Sequence, residues 1–473
     1  MSCLRLFGSL LIISIGLGTV SLADTVSREI FLQQLKQTHP VFQIEKLTTQ
    51  IEEAERSSFL GDQDWRVQSS VFYSHDEPAV AISGPEKTDA LSVSGGVERL
   101  FWSTGGTLSA SLTSGYASLE AEPFLGLPES FFQNQLTVAY AHPLLRNKKG
   151  RLDRLAYDLK EFDIDLSEVA AMEREEDFLI QAASRFLDWV FLTEQHRIVT
   201  ERLSLSEEEL SRTREKRDAN LVDEVDVIRA EDAVRIARQS LLLVESQWKA
   251  LQAELAVLAQ DSSYYGATPE YDLYQAEPLP SLDQAISRLK ADSRLLETVG
   301  IRLEQLKTVR SGFMELEKPD LSLVARLDLQ SAETAFGNSL AVDKPSARVG
   351  LQLGFPVENR MAKAKVTQTD LQAMQLEKQL EDLDLELSSA VANVLTQLKQ
   401  LEKVLELNRE QIESASRKTQ EELTLYEQGR GELTFVIQSR DSEQAAQLTY
   451  AANALSYHRL VLQYQSLMDQ FHR

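Results

Sequence analysis

The strongest constraint on the fold is a long stretch without helix breakers. From Asp370 to Glu427 the sequence contains neither proline nor glycine, and apolar residues recur in it at gaps of three or four. This spacing places them along one face of an α-helix. At about 1.5 Å per residue the helix would be roughly 85 Å long, which indicates a coiled coil, a filament or the wall of a tube. The apolar positions are Leu376, Leu380, Leu383, Leu387, Val391, Val394, Leu398, Leu401 and Leu405.

The chain also contains two copies of one structural plan. Each copy reads as a helix, a strand region, a long helix, a short break and a further helix. Three matches in fixed order indicate a duplication: residues 54–60 with 308–314, Pro143 with Pro356, and 220–223 with 429–432, at offsets of 254, 213 and 209 residues. The fall in offset predicts an insert of about 41 residues in the first copy. The predicted boundaries are 24–259 for the first repeat, 260–280 for a linker and 281–473 for the second repeat.

The first helix of each copy has a recognisable start or interruption. In the first copy it is predicted over Ser27–Leu60, with Pro40 as an early interruption. In the second copy Ser281 and Gln284 have the spacing of a capping box, in which each side chain bonds a backbone N–H of the other residue. Both helices are predicted to lead into strands.

The strand regions alternate between apolar and polar residues. This period of two is typical of a half-buried antiparallel sheet, and equally of a transmembrane barrel with apolar residues toward lipid and polar residues toward the lumen. The alternation alone leaves both interpretations open. The apolar positions are Trp65, Val67, Val71, Tyr73, Leu136, Val138 and Tyr140 in the first copy, and Leu321, Leu323, Ala325, Leu327, Leu329, Ala347, Val349, Leu351, Leu353 and Phe355 in the second.

The insert in the first copy, at about residues 80–120, is predicted to be a β-hairpin. Residues 91–100 and 107–116 flank a tight turn at 103–106 that contains two glycines. This arrangement suits two antiparallel strands. The hairpin either joins the wall of the sheet or caps it from outside.

Residues 1–23 are predicted to be a signal peptide. Arg5 precedes an apolar run at Leu6–Leu17, and Ser21–Ala23 offers small residues for cleavage. A transmembrane anchor is the alternative, but the run is short and no stop-transfer charges follow it. The single cysteine, Cys3, would leave with this segment. The mature protein is therefore expected to have no disulfide and no thiolate metal ligand.

Charge and composition exclude several classes of function. The chain has 49 Lys and Arg against 73 Asp and Glu, a net charge of −24, whereas a nucleic-acid binder needs a basic surface. The six histidines lack metal-ligand spacing, and no glycine-rich phosphate loop is present. We therefore expect no enzyme activity, no cofactor, no metal site and no nucleic-acid partner.

Taken together, these features resemble the TolC family of outer-membrane efflux channels. The resemblance covers the whole predicted mature chain. Its specific pieces are Thr38–Pro40, the strand exits His142–Arg146 and Phe355–Val357, and the breaks at Asn220–Val222 and Tyr426–Gly431. It implies a mainly α protein with β structure, in which duplicated helix–strand–strand–long-helix–helix units form a homotrimer. Its α-helical barrel would be continuous with a β-barrel in the lipid of the cell outer membrane and would extend into the periplasm.

The resemblance implies a passive function in export. Such a channel is the exit duct of a tripartite efflux or type I secretion system, and it receives substrates from an inner-membrane pump (RND, ABC or MFS type) and a periplasmic adaptor. Four strand regions per chain would give about twelve strands in a trimer, or about eighteen if the hairpin joins the wall. The alternative hypothesis is a periplasmic coiled-coil scaffold or adaptor with a soluble β domain.

The resemblance also assigns site residues. The breaks between paired helices would be periplasmic tips that contact the adaptor, although an ordinary αα turn without a partner would look the same. Glycine and asparagine tolerate the left-handed backbone that such turns use. Proline at each strand exit would end ladder hydrogen bonding. The predicted tip residues are Asn220, Leu221, Val222, Asp223, Gly429, Arg430, Gly431 and Glu432, and the predicted strand-to-helix junctions are Pro143 and Pro356.

The predicted entrance constriction comprises Asp226, Phe435 and Gln438. Members of the family carry acidic residues at such positions, and here only the first copy has one. A ring built from Asp226 would hold three charges per trimer. Phe435 would either plug the entrance or pack within its helix pair. The acidity of the whole chain predicts a conduit that prefers cations.

Overall fold

The computed structural model describes residues 25–79, 85–120 and 126–471. The predicted signal peptide lies outside the described residues. The described helices are α1 (Arg28–Thr38), α2 (Pro40–Ser58), α3 (Leu155–Asp218), α4 (Glu224–Leu258), α5 (Leu282–Asp292), α6 (Arg294–Glu317), α7 (Phe336–Ser339), α8 (Arg360–Glu427) and α9 (Leu433–Leu467). The described strands are β1 (Thr25–Ser27), β2 (Arg66–Asp76), β3 (Lys87–Phe101), β4 (Gly106–Glu120), β5 (Ser130–Pro143), β6 (Thr268–Glu270), β7 (Asp320–Glu333) and β8 (Lys344–Gly354). None of these helices combines the length and the apolar composition that a membrane-crossing helix requires.

The short helices before each strand region begin alike. Ser27 precedes α1 and Ser281 precedes α5, and each side chain accepts a hydrogen bond from the first helical turn. Ser281 and Gln284 form the predicted capping box, with N–H···O distances of 3.2 and 3.4 Å. Pro40 starts α2 after a break at His39, as predicted. The repeat and linker boundaries stay predictions.

The long helices carry the predicted apolar stripe. α8 has 68 residues, which corresponds to about 100 Å at 1.5 Å per residue. It begins ten residues before the predicted start, because residues 360–369 also lack proline and glycine. Val391 and Leu398 in the stripe are fully buried. α3, with 64 residues, is the matching helix of the first copy.

The helices form a layer whose order differs between its two halves. Toward the large sheet the neighbours run α2, α3, α6, α8, and toward the other end they run α4, α3, α9, α8. One lateral edge of the layer is therefore α2 and α4, and the other is α8. The contacts that join neighbours include Arg174–Glu45, Gln305–Asp163, Arg310–Asp370, Trp248–Thr193, Arg459–Asp188 and Asn453–Asn408.

The main hydrophobic core lies where these two halves meet. Phe31, Phe186, Trp189 and Tyr264 are fully buried together there, and their rings contact one another edge-on or stacked. Tyr264 belongs to the predicted linker. The linker is thus packed into the core and joins both repeats.

Six antiparallel strands form one open sheet in the order β2-β3-β4-β5-β7-β8. The inserted hairpin supplies β3 and β4, which lie between β2 and β5. Both of its strands are therefore part of the wall, and the alternative of an external cap is excluded for this sheet. β2 and β8 are its two open edges, and they are joined in sequence to α2 and α8, which form the edges of the helical layer.

The register separates the sheet into an apolar face and a polar face. Side chains in strands alternate between faces, and each paired row therefore stays on one face. One row of the apolar face runs Val67, Val97, Ala110, Val138, Leu327, Ala347. The next row, on the polar face, runs Gln68, Gly96, Ser111, Thr137, Asp328, Ser346.

Strand pairing at Pro143 differs from what the sequence predicts. Pro143 is the last residue of β5, yet pairing continues, because the Leu144 N–H donates to the carbonyl of Leu321 at 2.7 Å. The prediction that this proline ends the ladder is wrong. Successive N–H groups of a strand point to opposite neighbours, so the missing N–H faces β4, whose pairing with β5 starts only at Thr107 and Ala141. Pro356 does follow the end of β8.

Candidate functional site

Both helix pairs close through the same backbone turn. The Leu221 N–H donates to the Lys216 carbonyl at 2.8 Å, and the Arg430 N–H donates to the Leu425 carbonyl at 2.9 Å. A bond across five residues after a left-handed residue is the Schellman ending of a helix. That residue is Asn220 in the first copy, with φ 57°, and Gly429 in the second, with φ 72°.

The second half of each turn is also repeated. The Asp226 N–H donates to the Asp223 carbonyl at 3.0 Å, and the Phe435 N–H donates to the Glu432 carbonyl at 3.1 Å. Asp223 and Glu432 precede α4 and α9 with extended backbone, and neither side chain caps its helix. Both carboxylates are exposed at helix N-termini, where negative charge is favoured by the helix dipole.

The two turns pack against each other within one chain. Ala230, Tyr426, Leu433 and Val436 form a small buried cluster that joins α4, α8 and α9. The Lys216 ammonium lies 3.7 Å from the centre of the Tyr426 ring and donates to the Tyr426 carbonyl at 3.2 Å. Burial lowers the pKa of Lys216. The cluster holds both tips as one unit.

A surface groove brings the predicted tip residues together. It has a volume of about 700 Å³ and is lined by every predicted tip residue except Arg430. Arg430 is exposed beside it. The groove is lined by acidic side chains, by the basic side chains of Lys216 and Arg229, by amide groups and by the apolar side chains of Leu221 and Val222. We refer to it as the tip groove.

The predicted constriction residues lie on α4 and α9, one turn from the tips. Asp226 pairs with Arg229 at 3.1 Å, and the positions equivalent to these two residues in the second copy are Phe435 and Gln438. Phe435 is 49% exposed and Gln438 is exposed. Of the two alternatives for Phe435, packing within its helix pair does not match the structure, because Leu433 and Val436 occupy the buried face instead.

Ion pairs tie the two helical hairpins together behind the tips. Arg202 of α3 donates to Asp441 of α9 at 2.9 Å, and Arg440 of α9 pairs with Glu209 of α3 at 3.3 Å. Burial raises the pKa of Glu209, against the opposing effect of Arg202 and Arg440. Sequence reasoning missed these ties, since partners far apart in sequence carry no local signal.

Sequence reasoning also missed two asparagines in the segments that lead from the sheet into the long helices. Asn147 and Asn359 adopt left-handed backbone, with φ of 60° and 44°. The Asn147 side chain accepts from the Leu152 N–H at 2.8 Å and donates to Asp153 at 2.9 Å. The enrichment of asparagine in left-handed backbone is a signal that could have identified both positions.

Within the described part of the chain, no group of His, Cys, Asp and Glu side chains is arranged to hold a metal ion. The conspicuous features are the tip groove, the ion-paired helices behind it and the two-faced sheet at the far end.

Comparisons with known proteins identify the architecture. No protein-family model matches the sequence, and no curated protein shows significant similarity to it. Solved structures, in contrast, match over almost the whole chain. The chain has the fold of the TolC-like outer-membrane efflux channels, which confirms the fold that the resemblance implied.

Three of the matched structures illustrate the extent of this likeness. The outer-membrane channel OprN has a TM-score of 0.67 and 13% identity, over 94% of this chain and 90% of that chain. The outer membrane protein VceC from Vibrio cholerae has a TM-score of 0.64 and 11% identity, over 94% and 95%. The Campylobacter jejuni CmeC outer membrane channel has a TM-score of 0.63 and 12% identity, over 99% and 94%.

Proposed function

We propose that three copies of this chain form an outer-membrane exit channel, which passes substrates from an inner-membrane pump and a periplasmic adaptor. The observation that carries the proposal is the apolar face of the sheet. It stays exposed across all six strands: Val67 is 76% exposed at one edge, Val349 75% and Leu351 67% at the other. An exposed apolar surface of this extent marks contact with another apolar phase.

The polar face supports a lumen on the other side of the sheet. It carries serine, threonine and glutamine, together with the ion pair of Arg326 and Asp328 at 2.9 Å. A barrel that is polar inside and apolar outside is the arrangement of outer-membrane proteins. A soluble β domain would need a layer that covers the apolar face, and its exposure weighs against the scaffold alternative.

Aromatic residues lie at both ends of the apolar face. Phe132 contacts Tyr116 at 4.9 Å and Phe336 at 5.4 Å between ring centres, at the end far from the helices. Trp65 and Phe355 are exposed at the end near the helices. Aromatic girdles at the two lipid–water interfaces are typical of such barrels.

The lateral edges support closure by further copies. β2 and β8 leave unpaired backbone groups, which bilayer lipid cannot satisfy. The adjoining helix edges expose apolar side chains as well. A head-to-tail contact between the α2–β2 edge and the α8–β8 edge generates a closed ring when the rotation between copies closes, and the number of three copies comes from the resemblance. The exposed apolar residues are Ile44, Leu47 and Ile51 on α2, and Leu371, Met374 and Leu385 on α8.

The tips lie at the end of the molecule farthest from the sheet. With the sheet in the outer membrane, α3 and α8 would place the tip groove deep in the periplasm, where an adaptor would bind it. This assignment of the tip residues rests on the resemblance and on the groove.

Membrane extraction tests the proposal. Washed outer membranes are treated with salt and with carbonate, and separately with detergent. We expect release by detergent alone, as a trimer in crosslinking and sedimentation. Release by carbonate would overturn the channel and would favour a peripheral scaffold.

A further inference from the structure

The inserted hairpin is built into the strand-to-helix junction. Its turn packs so closely on the junction that a Cβ at Gly105 would lie 2.8 Å from the backbone nitrogen of Gly150 and 2.9 Å from Pro143. Trp102, next to the turn, is buried, and its ring lies tilted against Tyr157 of α3 with the ring centres 5.5 Å apart. The hairpin is therefore a fixed part of the wall at the point where the sheet meets the helices.

The hairpin changes the width that each chain contributes to the sheet. Helices pack about 8–10 Å apart, so the four helices of the layer span roughly 32–40 Å. Strands lie about 4.8 Å apart and tilt by about 40° in barrels, so six strands span roughly 38 Å along the circumference. Four strands would span only roughly 25 Å. With the hairpin, these spacings give the sheet and the helical layer about the same width.

We propose that the hairpin matches the barrel to the helical tunnel, so that the trimer has an eighteen-stranded barrel without a step in width. The inference rests on the proposed function. The backbone diameter would be roughly 36 Å, against roughly 24 Å for twelve strands at the same tilt. Side chains of about 6 Å leave a free passage of about 24 Å. The barrel is therefore suited to bulky hydrated cargo, such as an extended polymer chain.

The hairpin lines its share of the lumen mainly with small uncharged groups, and Glu98, paired with Ser109, is the charged residue among them. The small side chains leave the passage open and offer hydroxyl groups to hydrated cargo. The charged residues of the polar face lie mainly on other strands, as with Arg326 and Arg348. The polar-face residues of the hairpin include Ser92, Ser94, Gly96, Ser109, Ser111 and Thr113.

Crosslinking tests the closure of the ring. In a Cys3→Ser background, Gln68→Cys on β2 is combined in turn with cysteine at Ser346, Arg348 and Gly350 on β8. We expect one register to give disulfide-linked trimers on denaturing gels. If no combination crosslinks and the protein is monomeric, the proposed function fails together with this inference.

Labelling of a lumen cysteine tests the width. Ala139→Cys lies on the polar face of β5, a wall strand with or without the hairpin, and the change is small enough to preserve folding. Intact cells are treated with maleimides on polyethylene glycol of graded size. We expect reagents up to about 20 Å in diameter to label Ala139→Cys within threefold of the rate at Glu77→Cys, an exposed loop position.

Two further outcomes distinguish a failure of the width inference from a failure of the proposed function. Val138→Cys, on the apolar face, should remain unlabelled by reagents of every size. If trimers crosslink but Ala139→Cys excludes all reagents above about 10 Å, the barrel is narrow, and the width inference fails while the channel stands.

Discussion

Asn220 and Gly429 occupy the same place in two turns that lie 209 residues apart. Both have left-handed backbone, and the helices around them end and begin at matching positions, so that α4 and α9 each have 35 residues. Four backbone hydrogen bonds of the first turn recur in the second, which adds a bond from the Gly431 N–H to the Leu425 carbonyl at 3.1 Å. The duplication therefore extends to backbone geometry at the tips, although the side chains there differ.

The left-handed backbone at Gly429 predicts that alanine destabilises the protein more than asparagine does at this position. A Cβ there would meet no atom within 4 Å, so Gly429→Ala is expected to cost only the backbone strain, about 1 kcal/mol. Gly429→Asn should cost less, since asparagine occupies the equivalent position in the first copy. Denaturant midpoints of the purified protein measure both, and equal losses for alanine and asparagine would contradict the backbone explanation.

Charge at the tip predicts a change in export. Arg430→Glu adds a negative group beside the acidic tip groove and should weaken adaptor binding by roughly tenfold. Trimer yield should stay unchanged, because Arg430 is exposed. Arg417→Glu, on an exposed part of α8, is the matched control. Efflux that is equally impaired by both variants would remove the tip assignment.

Adjacent residues on β4 test the two faces of the sheet. Leu112 lies on the apolar face and Thr113 on the polar face. Leu112→Arg would place a charge in lipid, at a cost of about 2–4 kcal/mol near the midplane, whereas Thr113→Arg would face water. We expect lower trimer yield in outer membranes only for Leu112→Arg. Equal yields would indicate that neither face meets lipid.

His458 predicts a loss of stability in acid. Its ring is buried, and it bonds Tyr271 at 2.8 Å and the Leu273 carbonyl at 3.0 Å. Burial lowers the pKa of His458 from 6.5 to about 4. The unfolded chain therefore binds more protons in this window, and the contribution is complete above pH 6.5 and lost as the pH falls toward 4.

The size of this effect follows from the shift. It amounts to about 3 kcal/mol, and unfolding measured between pH 7 and pH 4 should show it. His458→Gln should flatten that part of the pH dependence relative to the wild type, whereas Tyr271→Phe should keep it. An unchanged slope in His458→Gln would show that other groups are responsible.

Ion selectivity tests which acidic residues make the channel prefer cations. The net charge of −24 predicts cation preference, and the pairing of Asp226 with Arg229 predicts that the entrance contributes little. The reversal potential in a salt gradient should favour cations in the wild type and should change little in Asp226→Asn. A large loss of selectivity in Asp226→Asn would place the filter at the entrance instead.

Local patterns in the sequence determined much of the fold. The capping box at Ser281, the stripe through Val391 and the alternation of the strands act between near neighbours, so periodicity and spacing reveal them. The contact of Arg202 with Asp441 joins distant helices, and the pairing beyond Pro143 depends on which neighbour its nitrogen faces. The position of the hairpin in the wall likewise depends on strand order, which alternation does not encode.

The unbroken course of α8 fixes the distance between the sheet and the tips. The helix runs from the end of the sheet to the tip at about 1.5 Å per residue. The number of residues in α8 therefore determines the distance between the two ends. Two added turns would lengthen it by about 11 Å, and only an equal addition to α3 would keep the tips level. A partner that contacts the tips must span the distance that the helices leave uncovered.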